Sequence, residues 1–563
     1  MHGRLKVRST AEQEEARRRE KEKKVLWYRE KNESIFAKRA AGEKDRDTLK
    51  LTEEVLLENS DVGTLWSYRR EILTELLPTC SQEDSETMCK TELNILERCL
   101  RVNPKAYCVW LHRRWVLEHS PAPQWAHEKQ LCDLFLNHDE RNFHCWDYRR
   151  YVIRKAGIPP SDEFKYSFDK IATNFSNHSA WHYRSKLLPL LHPSHSSSNG
   201  IDENAMKKEY ELAQNAFYTD PSDQSAWFYH KWLLGRGTRG TMIGCVLVRR
   251  DPAPFIAVSF NQNVKSTEEE PIIVTLGDAL PKPVTDSGRF ESLWWSCDLV
   301  FPKDEEVTVR IEKGDGVLVE MSLDKGSNSS LWLTPDLDLL FSTYLTAATS
   351  EVLDSELVMC RELLQLEPDN KWCLLTTLQL LEAIDYDKHH KEIIDLYDKL
   401  VKCDPLRRGY YNDLRSRHLI AVKLRRRLEE RRESPDINSF DLSQLNLSRL
   451  YFTQHMVFIE DLLLNGNKLN STHSLEGLKN LKSLQSLSLA DNQLITLPKT
   501  LGGLTNLKSL SLENNDIKEL EDFDTLRSLP ELKELNIRGN PVCQLSDCEP
   551  FVKKMLPNIK LIH

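Results

Sequence analysis

The sequence predicts a multidomain protein, in which an α-α superhelix of helical hairpins is interrupted by an inserted β-sandwich and followed by leucine-rich repeats. Three observations support this fold class: a Trp-centred pattern occurs five times, a central stretch changes to short alternating β-like runs, and the C-terminal part repeats L-x-x-L-x-L-x-x-N-x-L. A length of 563 residues, at about 150 residues per domain, agrees with three or four domains. We expect hairpins over 1–237, the β-sandwich over 238–348, further hairpins over 349–436 and leucine-rich repeats over 437–563.

The first predicted region is built from the Trp-centred pattern. Successive Trp residues are 44, 36, 35 and 46 positions apart, an Asn or Asp stands seven residues before each of them, and the first four have an Arg three residues after. We interpret the Asn or Asp as the N-cap of the helix that carries the Trp, with Pro104 or Pro221 at the first helical position. An amphipathic stretch precedes each copy, so each unit is a helical hairpin that stacks on the next. The Trp residues are Trp66, Trp110, Trp146, Trp181 and Trp227.

The predicted β-sandwich interrupts the hairpins. From about Gly235 to Ala347 the helical pattern stops, and six runs rich in Val, Ile, Phe and Trp are bounded by turn residues. Six or so antiparallel strands in about 110 residues fit a small β-sandwich. Hairpins resume after it with Pro368 and Pro405 at the cap positions, although the Trp of the pattern is shifted or replaced.

The last predicted region carries a different repeat. Four segments match the leucine-rich pattern, and their asparagines are 25, 23 and 25 residues apart, inside the usual range of 20–29. We expect each Asn to satisfy backbone groups of the turn beside it. The charged segment KLRRRLEERRESPD precedes the block, so we expect a helix end, a linker and then a core that belongs to the leucine-rich block alone. The asparagines are Asn467, Asn492, Asn515 and Asn540.

Composition excludes several function classes. A mean hydropathy of −0.52 and 29% charged residues describe a water-soluble chain, and no stretch approaches the ~20 apolar residues of a membrane helix. The first residues lack the apolar core of a signal peptide, so we expect a cytoplasmic protein without a transmembrane segment. Thirteen cysteines without a CxxC pair indicate reduced thiols. A net charge of −9, mixed along the chain, argues against nucleic-acid binding.

The D/N-P-x₅-W-x-x-R array, as in NPKAYCVWLHRRW, resembles the α subunits of protein prenyltransferases. The opening MHGRLKV, the segments NFHCWDYRR and DQSAWFYH, the β insert and the leucine-rich tail are similar to the type II, or Rab, geranylgeranyltransferase branch. The resemblance implies an immunoglobulin-like insert and an obligate heterodimer, whose β subunit holds the zinc and the geranylgeranyl diphosphate. The implied reaction transfers geranylgeranyl groups to C-terminal cysteines of Rab GTPases, which Rab escort protein presents, in vesicular transport.

The resemblance also implies site residues. In similar enzymes the α subunit lends a Lys and a Tyr from the loop that opens one repeat helix and a His from the next, which here are Lys105, Tyr107 and His144. A positive charge at the start of a helix gains nothing from the helix dipole, so Lys105 makes sense beside an anion such as the departing diphosphate. We expect the chain alone to bind no zinc, because it has no ligand set, and His2 to reach the zinc of the β subunit as an extra ligand.

Two alternatives remain open on the sequence. The chain could be a non-catalytic scaffold in which the helical and leucine-rich solenoids only bind partners, but a scaffold has no need for a cation at Lys105. It could also be the α subunit of a farnesyltransferase or a type I geranylgeranyltransferase. The β insert and the leucine-rich tail count against that second alternative.

Overall fold

The structure is a computed structural model that describes residues 11–195, 200–235, 240–250, 254–264, 272–277, 282–283, 291–296, 305–313, 316–345, 350–434 and 437–563. The chain divides into two compact units, Met1–Ala216 with Asp223–His230 and Phe217–Ser222 with Lys231–His563. Residues 237, 348 and 436, where the sequence predicts domains to end, fall outside the described ranges, so those boundaries stay predictions. None of the helices in the described ranges is long and apolar enough to cross a bilayer.

The first unit is made of helices that pack in consecutive pairs. Helix α4 packs on α5, α6 on α7 and α8 on α9, and contacts of α3 with α5 and of α5 with α7 join successive pairs. The helices from Arg46 to Leu191 each bury one face, because their apolar residues recur at helical spacing. The helices are α1 Ala11–Ala40, α2 Arg46–Glu58, α3 Gly63–Leu76, α4 Gln82–Val102, α5 Tyr107–His119, α6 Trp125–His138, α7 Phe143–Ala156, α8 Pro160–Thr173, α9 His178–Leu191, α10 Glu203–Thr219 and α11 Gln224–Leu234, the last two with residues in both units.

The Asn or Asp of the Trp-centred pattern ends one helix and does not begin the next, so the predicted N-cap role is wrong. Asn103 directly follows α4, and its Oδ1 accepts the N–H of Lys105 at 3.2 Å within the turn. Helix α5 begins only at Tyr107, with Ala106 as its N-cap, and Pro104 therefore lies in the turn. The side chain closes an Asx turn, which satisfies a backbone donor outside any helix. Asn59, Asp139, Asn174 and Asp220 make the same bond to the residue two positions later.

The Trp and Arg of the first four copies are buried, and each has a fixed partner. The indole N–H of Trp66 donates to the carbonyl of Ser60 at 2.8 Å, so the Trp closes its own turn. The Arg three residues later forms a forked ion pair with a buried Glu of a following helix. In the second copy, Nε and Nη2 of Arg113 lie 2.7 Å from the two carboxylate oxygens of Glu128. The other pairs are Arg69 with Glu92, Arg149 with Glu163, and Arg184 with Glu209.

The first of these pairs also includes a histidine. Nε2 of His112 lies 2.8 Å from Oε1 of Glu92, and both side chains are at most 3% exposed. Burial alone would raise the pKa of Glu92, but Arg69 and His112 outweigh it and lower that pKa to about 2. Burial lowers the pKa of His112. The neutral imidazole therefore donates a hydrogen bond from its Nε2–H to an ionised carboxylate.

The β region of the second unit forms two antiparallel four-stranded sheets with strand orders β5-β2-β1-β8 and β4-β3-β6-β7. Apolar residues of both sheets share one core, for example Val246 and Val258 from the first and Val309 and Ile311 from the second. All six predicted runs contain a strand, although residues 297–301 of the fourth run lie outside the described residues, and β4 and β8 were not predicted. The strands are β1 Ile243–Arg249, β2 Phe255–Val264, β3 Ile272–Leu276, β4 Lys282–Pro283, β5 Glu291–Ser296, β6 Val307–Lys313, β7 Gly316–Leu323 and β8 Ser329–Leu333.

Helices resume after the β region, as predicted. Asn370 caps α14, because its Oδ1 accepts the N–H of Trp372 and of Cys373, each at 3.1 Å. Helix α16 continues through the charged segment to Glu433. The helices are α12 Asp338–Phe341, α13 Ser350–Leu366, α14 Lys371–Asp385, α15 His390–Cys403 and α16 Arg408–Glu433.

The leucine-rich repeats form a six-stranded parallel sheet whose strands follow each other in sequence order. The predicted role of the asparagines is confirmed. Asn492, for example, donates to the carbonyls of Leu464 and Leu489, each at 3.0 Å, and accepts the N–H of Leu469 at 3.2 Å. The elements are β9 Ser439–Asp441, β10 Asp461–Leu463, β11 Ser486–Ser488, β12 Ser509–Ser511, β13 Glu534–Asn536, α17 Cys548–Met555 and β14 Lys560–Ile562.

The start of the leucine-rich block is bonded to the rest of the second unit, which corrects the expectation of a block with a separate core. Nδ1 of the buried His455 lies 3.0 Å from Oγ of Ser259 on β2. Glu460 accepts from Arg249 of β1 at 2.7 Å. On the helical side, Nη1 of Arg415 on α16 donates to the carbonyl of Leu445 at 3.1 Å. A charged segment predicts a solvated linker only where both of its flanks face water, and here they do not.

Candidate active site

The turn between α4 and α5 carries Lys105. Its side chain is 67% exposed, and its Nζ lies 3.5 Å from Oδ2 of Asp139. The indole N–H of Trp110 donates to the carbonyl of Pro104 at 2.9 Å, which fixes the turn against α5. Lys105 thus precedes the helix by two residues and does not belong to its first turn. The structure gives Lys105 a carboxylate neighbour that the sequence analysis did not predict.

Tyr107 and His144 lie at the starts of neighbouring helices and touch each other. Tyr107 is the first residue of α5 and His144 the second residue of α7. Their ring centroids are 4.0 Å apart with an interplanar angle of 84°. Tyr107 is 62% exposed, whereas His144 is 7% exposed. The side chain of Tyr107 is therefore largely exposed to solvent, while one side of its ring contacts the imidazole of His144 edge-on.

The electrostatics of His144 keep its ring neutral at pH 7. Burial lowers the pKa of His144 from its ordinary value of 6.5, Asp147 opposes this shift, and Lys105 lowers the pKa further. A neutral imidazole offers one N–H donor and one acceptor.

Asn142 also belongs to the site, although the sequence did not point to it. Asn142 caps α7, because its Oδ1 accepts the N–H of His144 at 3.1 Å and of Cys145 at 3.2 Å. Its Nδ2 donates to the carbonyl of Pro104 at 2.9 Å. The spacing of an Asn three residues after the Asx-turn residue Asp139 could have found it, since helix N-caps favour Asn.

The grouped side chains suit an anion. An ammonium group, a phenol hydroxyl and a neutral imidazole supply hydrogen-bond donors and one positive charge beside two helix N-termini. A zinc ion prefers thiolate, imidazole and carboxylate ligands, three or more at a time, so this donor set does not fit zinc. Across the part of the chain that the structure describes, no group of three or more His, Cys, Asp or Glu could hold a metal ion. His2, the predicted ligand to the zinc of a partner subunit, lies outside the described residues.

Known proteins with the same repeats decide the family. Residues 89–120, 125–156, 160–191 and 206–237 match the protein prenyltransferase alpha subunit repeat, and residues 464–563 match a leucine-rich repeat. The geranylgeranyl transferase type-2 subunit alpha of Bos taurus is 40% identical over 579 residues, which cover 100% of both chains. The chain belongs to the family of geranylgeranyl transferase type-2 alpha subunits.

Two other members of this family match this chain over most or all of its length. The geranylgeranyl transferase type-2 subunit alpha of Homo sapiens is 39% identical over 578 residues and covers 100% of both chains. The Dictyostelium discoideum member is 28% identical over 423 residues, which are 74% of this chain and 100% of that one. The predicted resemblance is therefore confirmed, and the type-2 branch is favoured over the farnesyl or type I branch. Lys105, Tyr107 and His144 all lie inside matched prenyltransferase repeats.

Proposed function

We propose that the chain is the α subunit of a heterodimer that transfers geranylgeranyl groups from geranylgeranyl diphosphate to C-terminal cysteines of Rab GTPases. The observation that carries the proposal is the grouping of Lys105, Tyr107 and His144 at two neighbouring helix starts in a chain of this family. Its partners in this proposal are a prenyltransferase β subunit and Rab escort protein, which presents the Rab protein. The complex works in the cytoplasm, in vesicular transport.

In the proposed reaction, the sulfur of the acceptor cysteine bonds to the first carbon of the lipid, and the bond from that carbon to the diphosphate oxygen breaks. Negative charge then grows on the departing diphosphate. Lys105 places a positive charge where that anion forms, which stabilises the transition state more than the bound substrate. The hydroxyl of Tyr107 and the ring N–H of His144 donate hydrogen bonds to the same oxygens.

The division of the active site is also part of the proposal. We place the zinc in the β subunit, where it supplies a nucleophilic thiolate at neutral pH by lowering the pKa of the acceptor cysteine. This chain contributes the cation and the hydrogen-bond donors. The same resemblance supports an immunoglobulin-like sandwich for the two antiparallel sheets, whose shared core is consistent with that fold.

The test of the proposal is Lys105→Ala in the heterodimer with its β subunit. With lipid diphosphate bound beforehand, the single-turnover rate of transfer to a Rab protein should fall by about 10²–10³, which corresponds to the loss of one preorganised charge, or ~3–4 kcal/mol. Lys105→Arg should recover only part of the rate, because a planar fork replaces a compact charge. Single turnover separates the chemical step from product release.

Asp139→Asn is the matched control. The amide keeps the oxygen that accepts from Arg141 at 3.1 Å but removes the carboxylate beside Lys105. If Lys105 acts on the diphosphate, this variant transfers lipid at the wild-type rate or faster. If Lys105 serves only as the partner of Asp139, both substitutions have the same small effect, and the scaffold alternative gains support.

A further inference from the structure

We propose that Asn142 is a positioning residue, which holds the turn of Lys105 in register with His144. The inference rests on the proposed function of those two residues. Asn142 is 1% exposed. It makes three hydrogen bonds, two to backbone N–H groups at the start of α7 and one to the turn between α4 and α5. It contacts neither the lipid nor the acceptor in this proposal, so its effect on the reaction runs through the residues it holds.

The bond to the turn acts on the peptide group next to Lys105. The carbonyl of Pro104 belongs to the amide plane that contains the nitrogen of Lys105. It accepts from Nδ2 of Asn142 and from the indole of Trp110, both at 2.9 Å. The indole belongs to α5, whereas Asn142 is the N-cap of α7. The carbonyl is therefore tied to both helices whose first residues form the site.

The side chain of Asn is required for this double role. An N-cap needs an acceptor, which Ser, Thr, Asp and Asn all supply. Only the amide also carries a donor at the far end of the same short chain. Serine at position 142 would keep an acceptor for the helix but would not reach the carbonyl of Pro104.

The link is not an automatic consequence of capping. Asn177 occupies the same position before α9 and its Oδ1 accepts the N–H of Ala180 at 3.1 Å. Its Nδ2 finds no acceptor among the described atoms. A repeat helix can thus be capped while its Asn leaves the preceding turn unbound. At Asn142 the cap and the bond to the turn occur together, at the turn that carries Lys105.

The second unit provides a matched control. Asn370 caps α14 with two bonds of 3.1 Å and donates from Nδ2 to the carbonyl of Pro221 at 2.8 Å. This geometry is the same as at Asn142, but no proposed site residue lies on that turn. Asn370→Ser therefore removes an equivalent hydrogen bond from a helix N-cap to a turn carbonyl, at a position that takes no part in the proposed reaction.

The experiment compares Asn142→Ser and Asn370→Ser in the heterodimer, each alone and combined with Lys105→Ala. Hydrogen exchange followed by mass spectrometry should quicken in the turn of residues 103–106 for the first variant and in the turn of residues 220–223 for the second. Asn142→Ser should lower the single-turnover rate about tenfold, since a shift of about 1 Å in a reacting geometry costs up to about 10²-fold. Asn370→Ser should leave that rate unchanged.

The combined variants separate positioning from general loosening. In the Lys105→Ala background, Asn142→Ser should cause no further loss of rate, because its effect passes through Lys105. A full tenfold loss in that background, or the same loss with Asn370→Ser, overturns the inference while leaving the proposed function in place. A wild-type rate for Lys105→Ala alone overturns the proposed function. Unchanged hydrogen exchange of residues 103–106 in Asn142→Ser shows that the bond from Asn142 to Pro104 does not hold the turn, which overturns the inference on its own. If Asn142→Ser does not assemble with the β subunit, Asn142→Asp, which keeps the cap but loses the donor, is judged by the same exchange measurement.

Discussion

Four arginines of the repeat pattern sit opposite buried carboxylates, and these pairs decide what the helices tolerate. Arg69, Arg113 and Arg149 are at most 1% exposed, and each shares its hydrogen bonds with a Glu of another helix. A buried ion pair gains little over a well-packed apolar pair, because both charges lose their water. Removing one partner alone is costly, since the remaining charge stays buried without a counterion.

Arg113→Met should therefore destabilise the first unit by about 3–5 kcal/mol, because the carboxyl group of Glu128, 1% exposed, would lose its partner. Arg101→Met is the control, since Arg101 is 62% exposed and pairs with Glu97 on the surface of α4. Its loss should cost less than about 1 kcal/mol. Urea unfolding followed by Trp fluorescence gives both values, and equal midpoints for the two variants would contradict the buried-pair account.

The Glu92 carboxylate makes stability depend on pH in the acid range. Its pKa is about 2 in the folded chain against an ordinary value of 4.5. The stabilisation is therefore complete above pH 4.5 and is lost as the pH falls towards 2, and it amounts to about 3 kcal/mol. In Glu92→Gln this pH-dependent part is absent, so its stability should approach that of the wild type as the solution is acidified. A constant difference in urea midpoint across this range would show that Glu92 does not titrate as expected.

At the scale of elements, the β region and the leucine-rich block are closely packed where they meet. A Cβ on Gly244 of β1 would lie 2.6 Å from the ring of His455, which is itself buried. Real side chains do not approach so closely, and a ring held among packed neighbours has little space to move. Glycine is therefore needed at this point of the strand because of contact and not because of backbone conformation.

Gly244→Ala should destabilise the second unit by about 1–3 kcal/mol through overpacking. Gly240→Ala is the matched control, since a Cβ there has no neighbour within 4 Å. Adding His455→Ala to Gly244→Ala should restore part of the loss, because it removes the ring that the new methyl meets. Thermal unfolding of the wild type, of the single variants Gly244→Ala, Gly240→Ala and His455→Ala, and of the double variant checks this order. If the double variant were as unstable as the sum of the single ones, the clash would not be the cause.

At the scale of the whole molecule, the sequence separates the second unit into parts that the structure joins. A chain that ends at Ser434 loses Glu460, the partner of the 8% exposed Arg249. It also loses Phe452, whose ring centroid lies 5.2 Å from that of Phe341 on α12. The truncated chain thus exposes apolar and charged surface together.

Truncation at Ser434 should speed hydrogen exchange in β1, β2 and α16, and leave exchange in α2 to α9 as it is in the full chain. The physical reason is that the first three elements lose hydrogen bonds or neighbours, whereas the ion pairs of the repeat arginines lie within the first unit. Mass spectrometry of peptides from both units measures the difference. Unchanged exchange in β1 and α16 would restore the view of the leucine-rich block as an independent domain.

Periodic features of this fold were predictable, and their partners were not. The Trp and the Arg three residues later recur at a fixed offset, as in Trp66 and Arg69, so the sequence places them on one face of a helix. Glu92 and Glu128 stand 23 and 15 residues after their arginines, and this variable spacing hides the pairing. Local signals also mislead, because an Asn before a Pro fits both a helix N-cap and an Asx turn. Tyr107 and His144 do touch, but the ion pair of Asp139 with Lys105 and the bond of Asn142 to Pro104 became visible only in three dimensions.

The order in which the ribosome delivers residues gives the buried ion pairs a further consequence. Each arginine is synthesised before its carboxylate, by 23, 15, 14 and 25 residues in the four pairs. At translation rates of about 5–20 residues per second, the guanidinium waits about one to five seconds for its counterion. During that time the guanidinium of the hairpin has no counterion, because the Glu that pairs with it belongs to a helix that has not yet been synthesised. Nascent chains of this family are therefore expected to mature from the N-terminus in steps, each new helix closing the one before it.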